Sequence, residues 1–220
     1  MATFGLVHGA WHGGWAWDPL RAELEARGHR VVAPDLPCED TEAGAAEYAA
    51  VVREALGGEQ DAIVVGHSLG GMTIPLVPAR TIVYLCAYVP EPGRALADRV
   101  ADAWAPDFAV STVRDELGRS YWPDLAAAAH DLQYPPEATA LTAKLRPQGR
   151  KPSVEPSPLA AHPAVDTAFV VCTDDYAVPP DFQRRMAVEE LGVEPIELQS
   201  GHSPMLSHVR ELAELLHEFA

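Results

Sequence analysis

The sequence predicts an α/β fold, one domain over residues 1–220, with a mostly parallel sheet of roughly six strands, helices on both faces and a helical cap insertion at roughly 91–165. Three observations carry this. Short apolar runs alternate with helical segments along the chain. Several of those runs, Ala62-Ile63-Val64-Val65 above all, are continuously apolar rather than alternating, as strands covered on both faces are. At 220 residues the chain is also long enough for one domain with a sizeable core.

The first strand is expected at Thr3–Val7. Asp18-Pro19 then supplies an N-cap and a first-turn proline, Leu20 and Leu24 share a helix face, and Gly28 is the stop. A second strand, Arg30–Ala33, precedes a helix from about Glu42 to Leu56, in which Tyr48, Val51, Val52, Ala55 and Leu56 form one stripe ended by Gly57-Gly58. The third strand, Ala62–Gly66, leads into a helix after Ser68 that Pro75, Pro78 and an early fourth strand (Thr81–Ala87) clip short.

From about Glu91 to Val165 the pattern breaks down. The segment is rich in proline and alanine, shows no clear strand, and carries Trp104, Tyr121, Trp122 and Tyr134 with weak periodicity. Its length and aromatic content predict a helical cap over a site rather than a structureless loop. A fifth strand at Ala168–Cys172, a helix at about Asp181–Leu191 closed by Gly192, a last strand at Pro195–Leu198 and a helix from about His208 to Phe219 complete the order.

The formal net charge of −16 disfavours nucleic acid and anionic membranes as partners. No apolar run approaches the roughly 20 residues of a membrane span. Met1-Ala2-Thr3 leads at once into Phe4-Gly5-Leu6-Val7, so no signal peptide is expected. Cys38, Cys86 and Cys172 form no Cys-x-x-Cys pair, which reads as reduced thiols in the cytoplasm, with packing the role of Cys86 and Cys172. Lysine occurs only at Lys144 and Lys151 while arginine, alanine and proline are common, a hint of a bacterial source. No metal-ligand spacing and no Gly-rich dinucleotide or phosphate loop occurs, so no cofactor and no metal are expected.

Gly66-His67-Ser68-Leu69-Gly70 follows the third strand directly. A Gly-x-Ser-x-Gly stretch between a strand and a helix describes a strained turn that holds a serine hydroxyl above a sheet. Small residues at both ends let backbone approach backbone. The plain alternative is a strand–helix crossover with an incidental serine. A serine nucleophile needs a base, a group to orient that base, and donors where an oxyanion will form. His202 follows the last strand, at the sheet edge that holds Ser68, and is the candidate base; neighbouring His67 is structural, because consecutive residues at a sharp turn point apart. Asp174 and Asp175 follow the fifth strand. One is the candidate acid and the other can cap the turn. The order serine, aspartate, histidine is that of α/β-hydrolases. The N–H of Leu69 and that of Ala10, in His8-Gly9-Ala10-Trp11-His12-Gly13-Gly14-Trp15 after the first strand, are the candidate oxyanion donors, with His8 and His12 bracing the loop. Trp11, Trp104, Trp122 and Tyr134, with Leu69, are candidates for the apolar pocket wall.

Val7-His8-Gly9-Ala10-Trp11-His12-Gly13-Gly14-Trp15, Gly66-His67-Ser68-Leu69-Gly70-Gly71, Cys172-Thr173-Asp174-Asp175 with Phe182-Gln183, and Gly201-His202 together resemble the plant methylesterase and hydroxynitrile lyase group of α/β-hydrolases, and more closely its bacterial relatives. The resemblance covers both ends of the chain and the cap only loosely. It implies Asp175 as triad acid and Ala10 and Leu69 as oxyanion donors. Family lyases carry a lysine directly after the triad histidine and a threonine in the oxyanion loop, where this chain has Ser203 and Ala10. That favours the esterase side. The expected activity is therefore hydrolysis of an ester or thioester of a small, partly apolar molecule. The alternatives are a lyase on the same triad and a ligand-binding receptor with little turnover. Oligomeric state is left open.

Overall fold

The computed structural model describes residues 1–100 and 111–220. In chain order the strands are β1 (Thr3–Val7), β2 (Arg30–Val32), β3 (Ile63–His67), β4 (Thr81–Leu85), β5 (Val113–Arg114), β6 (Ser120–Tyr121), β7 (Asp166–Cys172) and β8 (Ile196–Leu198). The helices are α1 (Asp18–Ala26), α2 (Ala45–Leu56), α3 (Leu96–Val100), α4 (Leu125–Asp131), α5 (Lys151–Val154), α6 (Pro180–Arg185), α7 (Pro204–Ser207) and α8 (Val209–His217). Six strands form one sheet in the order β2-β1-β3-β4-β7-β8, and every pair in it is parallel.

The continuous apolar runs behave as expected. Every residue of β3 and β4 is buried. Successive side chains face opposite sides, so Val64, Ile82 and Tyr84 pack with Tyr48, Val52 and Leu56 of α2, while Ile63, Val65, Val83 and Leu85 pack with Leu20 and Leu24 of α1 and Leu212 and Leu216 of α8. Two apolar layers thus clamp the sheet. Among the described residues, no helix is long and apolar enough to cross a membrane.

Several boundaries differ from expectation for local reasons. The segment after Ser68 makes only two short 3₁₀ turns, Ser68–Met72 and Ile74–Leu76, because Pro75 and Pro78 stop a longer helix. Helix α2 starts at Ala45, where Glu47 accepts the Gly44 N–H at 2.7 Å and Glu155 accepts that of Ala45 at 2.9 Å. Helix α6 runs on as a π turn over Met186–Glu190. The inserted segment, expected to lack strands, contains the hairpin β5–β6 beside α3, α4, α5 and a run of 3₁₀ turns at Pro136–Lys144. An Asp115 turn closes the hairpin, accepting the N–H groups of Leu117 at 3.0 Å and Arg119 at 2.9 Å.

The turn at Ser68 is built by close approach. A Cβ on Gly70 would lie 2.7 Å from the Val7 carbonyl oxygen and 2.8 Å from that of His8, and one on Gly66 would lie 3.0 Å from the Gly70 carbonyl carbon. Glycine lets the turn fold back on its own strand and dock on the end of β1.

Candidate active site

Ser68 sits at the C-terminal end of β3 with φ of 52°, a left-handed conformation rarely held by residues other than glycine. The Tyr88 N–H, from the loop after β4, donates to the Ser68 carbonyl at 3.1 Å and anchors the turn from the neighbouring strand. Parallel strands bring their C-terminal ends to one edge, and the loops after β7 and β8 deliver Asp175 and His202 there.

These two side chains meet. His202 Nδ1–H donates to Asp175 Oδ2 at 2.8 Å, and both side chains are essentially buried. With Nδ1 committed, Nε2 is the nitrogen left to act as a base. The same carboxylate accepts three further hydrogen bonds: Oδ1 from the N–H groups of Ala177 (2.7 Å) and Val178 (2.9 Å), and Oδ2 from Gln183 Nε2 (2.9 Å). Burying a carboxylate costs several kcal/mol. Hydrogen bonds to a charged group contribute about 1.5–3 kcal/mol each, so the set offsets that cost. Asp174 is exposed, and its hydrogen bonds run through its main chain.

Ala10 and Leu69 line the same cavity as Ser68. Leu69 is in the first turn of a 3₁₀ helix, where N–H groups have no helical partner. The Ala10 N–H has no acceptor among the described residues. Gly9 brings its loop onto the serine: a Cβ there would stand 2.8 Å from Ser68 Cβ. The histidines brace this loop. His8 Nδ1–H donates to Gly9 O at 2.8 Å, and its Nε2 accepts from the Leu36 N–H at 2.9 Å. His12 Nδ1–H donates to Ala10 O at 2.7 Å, and its Nε2 accepts from the Tyr134 hydroxyl at 2.7 Å. Burial lowers His8 to about 4 and His12 to about 3, so both stay neutral near pH 7. Arg146 adds hydrogen bonds to the carbonyls of His12 (2.9 Å) and Leu36 (3.1 Å). His67, pushed well below its ordinary pKa by burial, donates from Nε2 to His202 O at 2.8 Å and props the base loop from beneath.

Ser68 and His202 open onto a cavity of about 320 Å³. Trp11, Leu69, Leu96, Val100 and Ala177 give it an apolar wall, and Thr112, Ser120, Gln148 and Ser153 add polar points. Trp11 lines it, held by Nε1–H to Ser120 Oγ at 3.0 Å. Trp122 and Tyr134, expected in the wall, are not among the lining residues. Trp122 is buried behind Trp11, with ring centroids 5.4 Å apart, and Tyr134 is committed to His12. Trp104 lies outside the described residues. Gln148 and Arg146 have no role assigned from the sequence because their contacts join segments 100 or more positions apart, whereas Gln183, known there only from a family pattern, reaches Asp175 from eight positions away.

His67, Cys86 and His202 bring ligand-type atoms within 4.8 Å of one another. Burial raises the Cys86 thiol well above its ordinary pKa, which disfavours the thiolate that a metal would need.

The profile of the alpha/beta hydrolase family matches residues 6–215. The tobacco (Nicotiana tabacum) salicylic acid-binding protein 2 is 30% identical over 259 aligned positions, covering 99% of this chain and 96% of that one. A carbendazim hydrolyzing esterase of a Nocardioides species is 39% identical over 128 residues, about half of each chain (49% and 50%). Among solved structures, a pyrethroid hydrolase of Sphingobium faniae superposes with a TM-score of 0.82 at 26% identity, covering 99% of this chain and 96% of that one. A parallel sheet in this strand order, a serine held at the end of its third strand, and matches along almost the whole length lead to one assignment: this chain belongs to the alpha/beta hydrolase family.

Proposed function

We propose that this protein is a serine carboxylesterase acting on an ester or thioester of a small, partly apolar molecule. The observation that carries the reading is the buried Asp175–His202 pair, whose histidine lines one cavity with the strained Ser68. In the proposed cycle His202 Nε2 takes the Ser68 proton as Oγ bonds to the substrate carbonyl carbon. Asp175 holds the ring and stabilises its cation. The N–H groups of Ala10 and Leu69 receive the oxyanion. Collapse breaks the bond to the leaving alcohol or thiol, which takes the proton from His202. Water, deprotonated by His202, then attacks the acyl carbon; the bond to Ser68 Oγ breaks, releasing the acid, and His202 returns the proton to Oγ.

The relatives support this substrate class, since they include a carbendazim-hydrolysing esterase, a pyrethroid hydrolase and plant methylesterases. Ser203 argues against the lyase reading. It stands where family lyases hold a lysine, and its hydroxyl donates to Leu132 O at 2.6 Å, so it supplies no cation. We take the chain as one catalytic domain with 91–165 as its cap, and assign it to the cytoplasm on its three buried free thiols, which cell fractionation checks.

A panel of p-nitrophenyl esters tests the reading. The cavity of about 320 Å³ predicts turnover of the acetate and butyrate and a steep loss of kcat/KM by the dodecanoate. Negligible turnover across the panel beside tight binding of a small ligand would instead favour the receptor reading.

A further inference from the structure

Gln133 follows the end of α4 with φ of 52°. Its N–H donates to His130 O at 3.0 Å and that of Tyr134 to Ala129 O at 2.8 Å, a helix ending that favours glycine at the left-handed position. The chain obeys that preference after α1 and α2, where Gly28 and Gly57 have φ of 85° and 67°. At Gln133 it keeps a side chain instead.

That side chain spans two loops. Nε2 donates to the Asp174 carbonyl at 2.8 Å, and Oε1 accepts the N–H groups of Tyr176 at 2.8 Å and His202 at 3.0 Å. All three partners are main-chain groups of fixed polarity, so the amide has one orientation. Two of them flank Asp175 and the third belongs to His202. Gly201 makes the room: a Cβ there would lie 2.6 Å from Gln133 Cδ, and its own φ is not left-handed. One contact therefore accounts for a glutamine where glycine is favoured and a glycine where the backbone does not require one. Beside it, Ser203 Oγ donates to Leu132 O, so the inserted segment grips the loop on both sides of His202.

We propose that Gln133 is a positioning residue for the Asp175–His202 pair: it fixes the main chain on both sides of the acid and at the base, and thereby aims His202 Nε2 at Ser68. It is not among the residues lining the Ser68 cavity, so it acts through the pair and not through substrate. Its effect on rate rests on the acyl-transfer reading above.

Gln133→Leu removes all three bonds at similar size. Gln133→Glu keeps an acceptor for the two N–H groups and loses the donor to Asp174 O. Each is compared with wild type by p-nitrophenyl butyrate kinetics, thermal unfolding, and the downfield proton NMR signal of His202 Nδ1–H. For folded Gln133→Leu we expect kcat to fall on the order of 10²-fold with KM little changed, and the downfield signal to broaden or vanish; Gln133→Glu should fall between. A folded Gln133→Leu with wild-type kcat and signal would overturn the proposal, as would a change confined to KM. If Gln133→Leu does not fold, Gln133→Glu decides: an intermediate kcat and a broadened signal support the assignment, and wild-type values of both overturn it. Were the wild type itself inactive on esters, the functional reading would fall, and the NMR comparison would still decide the positioning role.

Discussion

Ser68→Ala is expected to lower p-nitrophenyl butyrate turnover by on the order of 10⁶-fold while leaving cooperative unfolding intact. The hydroxyl oxygen is the bond-forming atom in the proposed cycle. The turn itself should survive. Its shape depends on Gly66, Gly70 and the Tyr88-to-Ser68 main-chain bond, none of which involves the hydroxyl. Alanine bears the same left-handed cost as serine. What remains is the rate supplied by the oxyanion donors and by binding, which in comparable sites lies about 10³–10⁴-fold above water. Equal rates in variant and wild type would remove Ser68 from the mechanism.

Asp175→Asn is the second large effect, a fall in kcat on the order of 10⁴-fold. The carboxylate accepts from two main-chain N–H groups, from Gln183 and from His202. An amide offers one oxygen to these donors, and its own NH₂ must face one of them. If it faces His202, the imidazole shifts its proton to Nε2 and loses the basic nitrogen. Asp174→Asn should stay close to wild type, because Asp174 is exposed and its carbonyl, which Gln133 uses, is unchanged. The reverse pair of results would move the acid to Asp174.

The parts of this account that were legible in the sequence are those fixed by short-range physics. Val64 and Val65 announce a strand covered on both faces because each meets a different helical layer. Gly70 announces the turn because a Cβ there meets the backbone of β1 and its loop, and Gly66 because a Cβ there meets Ile74 and the Gly70 carbonyl carbon. Asp174 and Asp175, by contrast, could not be told apart locally, since either could take the nearby main-chain N–H groups, and the contacts that distinguish Asp175, from Gln183 and His202, lie 8 and 27 positions away. The inserted segment was harder still. Its hairpin is held by Asp115 and by pairing of Ser120 with Gln148, not by an alternating pattern. Its aromatic residues suggested a pocket wall, yet Trp122 and Tyr134 are spent in the core behind Trp11 and His12. Gln133 has no local signature at all: its partners lie 41 to 69 positions along the chain. Polar side chains that join distant loops leave no periodicity to read.

The central claim is a covalent acyl-enzyme on Ser68, and trapping it is the most direct test. Wild-type protein is mixed rapidly with a p-nitrophenyl ester, quenched in acid within the first turnover, and analysed by intact mass and peptide mapping. The expected result is a mass increase equal to the acyl group, located on the peptide carrying Ser68 and absent from Ser68→Ala. Full turnover with no adduct, or an adduct on another residue, would contradict it.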